Sequence, residues 1–172
     1  MAIVATCLTI AAALAAAKGG ETIALKGACP AITISKHYPR PLTINAAQAS
    51  VRGLTITGSN IRWNAGTITA SGGTHAKGPA GYAAKIIGRS VTFEGVTFTD
   101  AKKGAVIDSS RDIAILRSRF TRLGDDGIVV ARTSGLTIAG NTFEASVGKS
   151  TECRDGEAVT YNLSMKACRA AR

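Results

Sequence analysis

One stretch of the chain, residues 81–143, repeats the same short pattern three times. Val91–Phe98, Ile113–Phe120 and Leu136–Phe143 each alternate apolar with polar residues, and they begin 22 or 23 residues apart. Each copy is too short to bury its own apolar face, whereas stacked copies can share one continuous core. Because β-branched residues at a period of two favour strands, the repeat predicts a coil of parallel β-strands, with the three copies in one ladder.

A second column of residues precedes each copy and begins at a glycine. Gly81, Gly104 and Gly127 are 23 residues apart, and each opens a short apolar segment. We therefore predict three strands per turn and three parallel sheets. Further short strands are predicted upstream, at Glu21–Leu25, Ile32–Ser35, Leu42–Asn45, Leu54–Thr57, Ile61–Trp63 and Gly66–Ala70. Pro39 and Pro41 fall between these strands, where a missing N–H donor does little harm.

The N-terminal segment 9–18 is rich in alanine, which favours a helix. Thr9 can cap its start, and the pair Gly19 and Gly20 ends it. A short apolar helix at this position predicts a cap that covers the open end of the solenoid core.

Two stretches interrupt the repeat of an otherwise single domain spanning residues 1–172. Residues 70–81 lengthen one turn by about 14 residues, and residues 144–156 form a second expansion. Their glycine, serine and proline content favours protruding loops. Both follow the third strand of a turn, so we expect them on one side of the coil, where insertions often build a binding surface.

The net charge of +10 favours an anionic partner. Residues 1–80 carry seven Lys/Arg and one acid, whereas the rest of the chain carries fourteen and ten. An acidic polysaccharide, a nucleic acid or a membrane surface would fit this charge, and an ordinary solvated surface is the alternative. Arg117, Arg119 and Arg122 form a strip without interleaved aromatics, which argues against nucleic acid. No apolar run reaches the roughly 20 residues that span a membrane.

Four cysteines fall in two pairs near the ends of the chain. Cys7 and Cys29 flank the first helix and strand, and Cys153 and Cys168 flank the last strand. Neither pair has zinc-site spacing, and no dinucleotide or phosphate-loop motif occurs, so we expect no metal and no cofactor. Two disulfides, one at each end, would suit a secreted, periplasmic or cell-surface protein, and buried free thiols are the alternative.

The segment Gly127–Phe143 closely resembles the right-handed parallel β-helix superfamily, the pectate-lyase-like fold. In that pattern Gly127–Ala131 belongs to the first sheet and Leu136–Ile138 to the second, and Asn141 lies in the tight turn before the third. The opening segment Leu14–Leu25 resembles the start of chondroitinase-B-like and alginate-lyase-like members. The resemblance covers most of the chain and implies an all-β, right-handed parallel β-helix of three sheets, with an N-terminal α-helical cap.

Asp125 and Asp126, which lie between two glycines, are the sharpest catalytic signal. A similar Gly-Asp-Asp in polygalacturonases of this superfamily supplies a general acid and a carboxylate that activates water. The companion motifs Asn-Thr-Asp, Gly-His-Gly and Arg-Ile-Lys are missing here. In the alternative interpretation the two acids form a turn and pair with Lys102 and Lys103, which lie 23 residues earlier and therefore one turn below.

Lys85 and Asp108 also differ by 23 and are predicted neighbours on the outer face of the first sheet. Lyases of this fold use a basic residue on that face to take a proton α to a carboxylate, while a cation neutralises the acid group. The resemblance implies Lys85 as the base, with Asp108 beside it and Arg89 or Arg111 as the cation. The alternative is an exposed Lys85–Asp108 ion pair with no catalytic role.

Basic side chains around these positions complete the predicted surface. The candidate substrate-binding residues are Lys102, Lys103, Arg89, Arg111, Arg132 and His75. His75 lies in the first insertion, where a histidine can shuttle protons or simply be solvated.

These features predict an extracytoplasmic, carbohydrate-active protein that binds an acidic polysaccharide and, in one interpretation, cleaves it as a lyase or hydrolase. The alternative is a non-catalytic structural or binding module. The last predicted strand, Ala158–Asn162, is followed by only ten residues, and catalytic members of the superfamily are longer. The chain is therefore expected to be part of a longer protein.

Overall fold

Short parallel strands wind into a coil of stacked turns. The computed structural model describes residues 2–70 and 81–144, together with the backbone of two more strands at 151–154 and 159–161. The elements in chain order are β1 (Ala2–Thr6), α1 (Ile10–Ala16), β2 (Thr22–Cys29), β3 (Ile32–Ile34), β4 (His37–Arg52), β5 (Leu54–Ile56), β6 (Ser59–Asn64), β7 (Thr67–Thr69), β8 (Tyr82–Ile86), β9 (Arg89–Glu94), β10 (Thr97–Ala101), β11 (Lys103–Asp108), β12 (Arg111–Leu116), β13 (Arg119–Leu123), β14 (Ile128–Ala131), β15 (Ser134–Ala139), β16 (Thr142–Phe143), β17 (Thr151–Arg154) and β18 (Val159–Tyr161).

The first sheet stacks one strand from each of six turns, in the order β3, β5, β8, β11, β14 and β17. Ile34, Ile56, Ile86 and Ile107 lie in register along it, and all four are buried. Successive turns thus share one core, as the repeat predicts, and the all-β, right-handed parallel β-helix is confirmed. β17 lies within the stretch 144–156 that the sequence predicts as an insertion, so that stretch contains a strand of the first sheet.

The second and third sheets are joined through the 16-residue strand β4, which bends around a corner of the coil. On it, Ile44 pairs with Trp63 of β6, whereas Val51 pairs with Ile68 of β7. β6, β9, β12, β15 and β18 form the second sheet, and β7, β10, β13 and β16 form the third. The prediction that Pro39 and Pro41 lie between strands is wrong, because both lie within β4. They occupy a stretch where the pairing with β6 shifts register, so no regular ladder bond is lost.

The register of the second sheet is the predicted one, since Val91, Ile113 and Leu136 stack directly. The register of the first sheet differs between β8 and β11, where Ala84 pairs with Ala105 at a spacing of 21. The next spacing, from Ala105 to Ile128, is 23. The longer turn has one more residue at each corner that flanks the first sheet, so equal glycine spacing does not give equal register.

Aromatic rings stack inside the coil beneath the third sheet. The centroids of Phe98 and Phe120 are 4.7 Å apart, as are those of Phe120 and Phe143, and each pair is nearly parallel. A Cβ on Gly104 would lie 2.5 Å from the Phe120 ring, which explains a glycine at this position. The predicted tight turn before the third sheet also forms, because the Asn141 side chain bonds the N–H of Ser118 and a carbonyl one turn below.

The N-terminal cap is larger than the sequence predicts. A strand, β1, precedes the helix and pairs with β2, and the helix covers residues 10–16 rather than 9–18. Thr9 stands at the N-cap, but its hydroxyl accepts from the Thr6 N–H and does not cap the helix. The Cys7–Cys29 disulfide is confirmed, with its Cα atoms 4.8 Å apart, and ties the cap to the first turn. The second predicted disulfide, Cys153–Cys168, lies outside the described residues.

Two side chains of the first turn hold the C-terminal end of the helix. Lys36 Nζ donates to the carbonyl oxygens of Ala15 and Ala17 at 2.7 and 2.6 Å, and the Tyr38 hydroxyl donates to Leu14 O at 2.8 Å. These carbonyls lack partners within the helix, and a cation there also interacts favourably with the helix dipole.

Lys36→Met should therefore loosen the cap. We expect the melting temperature to fall by about 2–6 °C, because one or two hydrogen bonds to a charged group are lost while the aliphatic stem is kept. Calorimetry of this variant beside Lys26→Met, which removes an exposed lysine from β2, measures the effect. Equal melting temperatures for the two variants would show that Lys36 does not fasten the helix.

Candidate functional site

The sequence-predicted site residues separate into two groups at opposite edges of the first sheet. Asp125 and Asp126 lie where the chain enters this sheet from the third sheet, and we call this edge the aspartate corner. Asp108, Arg89 and Arg111 lie where the chain leaves for the second sheet. His75 lies outside the described residues.

At the aspartate corner one ammonium group faces both acids. Lys103 Nζ lies 3.5 Å from an oxygen of Asp125 and 3.3 Å from one of Asp126. The Asp126 side chain is only 5% exposed, against 39% for Asp125. The interpretation as paired turn residues is therefore confirmed for Lys103, and Lys102 is exposed beside it. A general acid must reach its substrate, and Asp126 has little surface through which to do so.

Lys85 lies midway along the outer face of the first sheet. Its predicted pairing with Asp108 is wrong, because Lys85 stands opposite Val106 in the 21-residue register. Its Nζ lies 5.9 Å from the ring centroid of Tyr82, a cation–π arrangement. Lys85 thus shares this face with an aromatic ring and not with a carboxylate.

Asp108 instead binds an arginine from the next turn. Arg132 donates to its carboxylate at 2.6 Å and to the Ser109 hydroxyl at 3.1 Å, and that hydroxyl donates to Asp108 at 3.0 Å. Ser109 and Arg132 occupy equivalent corner positions with φ of 50° and 47°. The left-handed backbone at both corners directs the two side chains to the same spot, and the bonds hold the Arg132 guanidinium in place.

A column of polar residues runs along this corner parallel to the axis of the coil. His37, Ser59, Arg89, Arg111 and Ser134 are register neighbours on five successive strands. His37 Nδ1 and the Ser59 hydroxyl are 3.1 Å apart and share a hydrogen bond. Because side chains in adjacent parallel strands repeat about every 4.8 Å, Arg89 and Arg111 stand one above the other.

The column borders a groove of about 320 Å³ with four basic side chains. Its lining residues are His37, Thr57, Ile87, Gly88, Arg89, Ser109, Ser110, Arg111 and Arg132. We call the set His37, Arg89, Arg111 and Arg132 the arginine corner. Three of these were predicted individually, but not as one group with His37. The equal spacing of 22 residues from His37 to Ser59 and from Arg89 to Arg111 is the signal that could have linked them.

The charges of the arginine corner are only partly compensated. Arg132 is paired with Asp108, and Arg111 lies 3.4 Å from Asp112 in a pair whose side chains are 71% and 57% exposed. Such exposed pairs are weak and are screened by salt. In the described part of the chain, no carboxylate oxygen lies within 4.0 Å of Arg89.

The arginine strip on the third sheet is different, because each member has an acidic partner one turn away. Arg117 pairs with Glu94, Arg119 with Glu144, and Arg122 with Asp100 in two bonds of 2.8 and 2.6 Å. The Thr121 hydroxyl and then Arg119 hold the pKa of the Glu144 carboxyl below its ordinary value. This strip is an internal ion-pair ladder that joins successive turns.

Comparison with known families agrees with this architecture. No helix within the described ranges is long and apolar enough to cross a membrane. No curated protein and no solved structure was found to match the chain. The family described as the right handed beta helix region matches residues 43–172, which is most of the chain. Together with the three-sheet parallel coil, this match shows that the chain belongs to the right-handed β-helix family.

Proposed function

We propose that the protein binds an acidic polysaccharide along the arginine corner. The observation that carries the proposal is the groove that His37, Arg89, Arg111 and Arg132 line at the edge of the first sheet. Guanidinium groups bind carboxylate and sulfate oxygens through forked hydrogen bonds. The column repeats along the axis of the coil, as anionic groups repeat along a charged glycan. An elongated polyanion is therefore a suitable ligand.

The charge distribution supports this corner over the other basic surfaces. The arginines of the third sheet are matched by acids, and Lys103 is occupied by Asp125 and Asp126. At the arginine corner Arg89 is exposed and keeps its charge uncompensated among the described residues. A surface that retains positive potential attracts an anionic polymer.

We propose binding without cleavage. Hydrolysis needs one accessible carboxylic acid and a second carboxylate, whereas Asp126 is buried and both acids face Lys103. The lyase hypothesis retains Lys85 as base, since it lies on the outer face of the first sheet beside Tyr82. Arg89 or Arg111 would still neutralise the substrate acid in that reaction. The Cys7–Cys29 disulfide suits an extracytoplasmic protein, where such polymers occur.

Retention on immobilised acidic polysaccharides tests the binding. We expect the protein to be retained on carboxylated or sulfated polymers at low ionic strength, and not on neutral polymers of similar backbone. Retention should be lost as salt approaches a few tenths molar, because exposed charges are then screened within about 10 Å. No salt-dependent retention across a panel of acidic glycans would favour the structural alternative.

The same incubations test for turnover. We expect no ultraviolet absorbance from unsaturated ends and no new reducing ends. Absorbance that disappears in Lys85→Ala would instead identify a lyase, and reducing ends that disappear in Asp126→Asn would identify a hydrolase. Either result would contradict the proposal of binding alone.

A further inference from the structure

Arg89 and Arg111 form a like-charge pair that the fold places in register. They are direct partners on β9 and β12, and both are exposed. Like charges directly opposite each other on neighbouring strands are destabilising. Asp112 offsets part of the Arg111 charge, but it is itself largely exposed and lies on the same strand. The free protein therefore carries an unfavourable contact at this position.

The surroundings of the pair supply fixed hydrogen-bond donors and little acidic charge. Arg132 is held in the same groove by Asp108 and Ser109, so its guanidinium is already positioned. Arg89 has no comparable partner among the described residues and is free to turn toward a ligand. A guanidinium presents five N–H donors in a planar fork that matches oxyanions.

We propose that Arg89 and Arg111 clamp one oxyanion between two adjacent turns of the coil. The clamp rests on the proposed function only in naming the glycan as the source of the oxyanion, which is a carboxylate or a sulfate ester. An anion between the two guanidinium groups replaces their repulsion with two charge-assisted interactions. The site is thus unfavourable when empty and favourable when filled, so affinity is gained at the expense of the stability of the free protein.

Thermal unfolding at low ionic strength tests the first half of this proposal. Arg89→Gln should melt about 1–3 °C higher than the parent protein, because the like-charge contact is removed. The matched control is Arg52→Gln, which removes an exposed arginine where β4 joins the third sheet and should not raise the melting temperature. A melting temperature of Arg89→Gln equal to or below that of the parent would overturn the clamp.

Inorganic sulfate tests the second half. Sulfate should raise the melting temperature of the parent protein and of Arg52→Gln more than chloride does at equal ionic strength. That increment should be absent in Arg89→Gln, since a ligand stabilises only a fold that binds it. An undiminished increment in Arg89→Gln would overturn the clamp by showing that sulfate acts elsewhere or through general exclusion from the protein surface.

The source of the oxyanion is distinguished by competition. Carboxylated and sulfated forms of one glycan backbone are compared for their ability to cancel the sulfate increment, and the form that cancels it at lower concentration is the better ligand. If Arg89→Gln is retained on acidic glycans as well as the parent is, the clamp fails and the proposed function stands. If sulfate stabilises the parent through Arg89 but no glycan is retained, the clamp stands and the proposed function fails.

Discussion

Phe98→Ala is expected to lower the free energy of unfolding by about 3–5 kcal/mol, and the melting temperature by roughly 6–20 °C. The Phe98 ring is fully buried, stacks on Phe120 and contacts the edge of Phe93 at a centroid distance of 5.7 Å. Its removal leaves a cavity in the middle of the coil, where neighbours on both sides are fixed by backbone ladders and cannot collapse into the space.

Denaturant unfolding of Phe98→Ala and Thr97→Ala measures the effect. Thr97 precedes Phe98 on β10 but is only half-buried, so its variant should differ little from the parent protein. Similar losses in the two variants would contradict a core that is organised around the stacked rings.

The second large effect concerns binding. The double variant Arg89→Gln/Arg111→Gln should bind an acidic polysaccharide about 100-fold more weakly than the parent, because two charge-assisted interactions are lost. Its matched control is Arg52→Gln/Arg62→Gln, which removes the same net charge from exposed positions on the other two sheets. That control should lose only a few-fold, through weaker long-range attraction.

Titration of both double variants with one acidic polysaccharide in the same buffer makes this comparison. If the two lose affinity equally, the protein binds polyanions through its overall charge and not through the arginine corner.

The fold could be predicted from the sequence because its main elements follow a local pattern. Strands such as β9, β12 and β15 have strict alternation and near-constant spacing, so their ladder through Val91, Ile113 and Leu136 was predictable. The register of the first sheet was not, because one extra corner residue changes the pairing while the glycine spacing stays regular. The strand β1 was missed because five residues beside a helix carry too weak a pattern.

The site was only partly predictable for the same reason. Individual basic residues stood out from the charge of the chain, and Lys103 beside Asp125 and Asp126 followed from a spacing of 23. The arginine corner depends on contacts between turns that are not equally long. A bulge follows His37 on β4, and the spacing from Ser59 to Arg89 is longer than the usual turn, so His37 did not align with the arginines by period alone.

A crystal structure with a bound acidic oligosaccharide tests the central claim most directly. The account predicts an anionic group of the sugar between the guanidinium groups of Arg89 and Arg111, within hydrogen-bond distance of at least one of them, and the chain of sugars along the groove beside Arg132. An oligosaccharide bound instead at the aspartate corner, with a sugar oxygen against Asp126, would contradict the account and favour a catalytic site there.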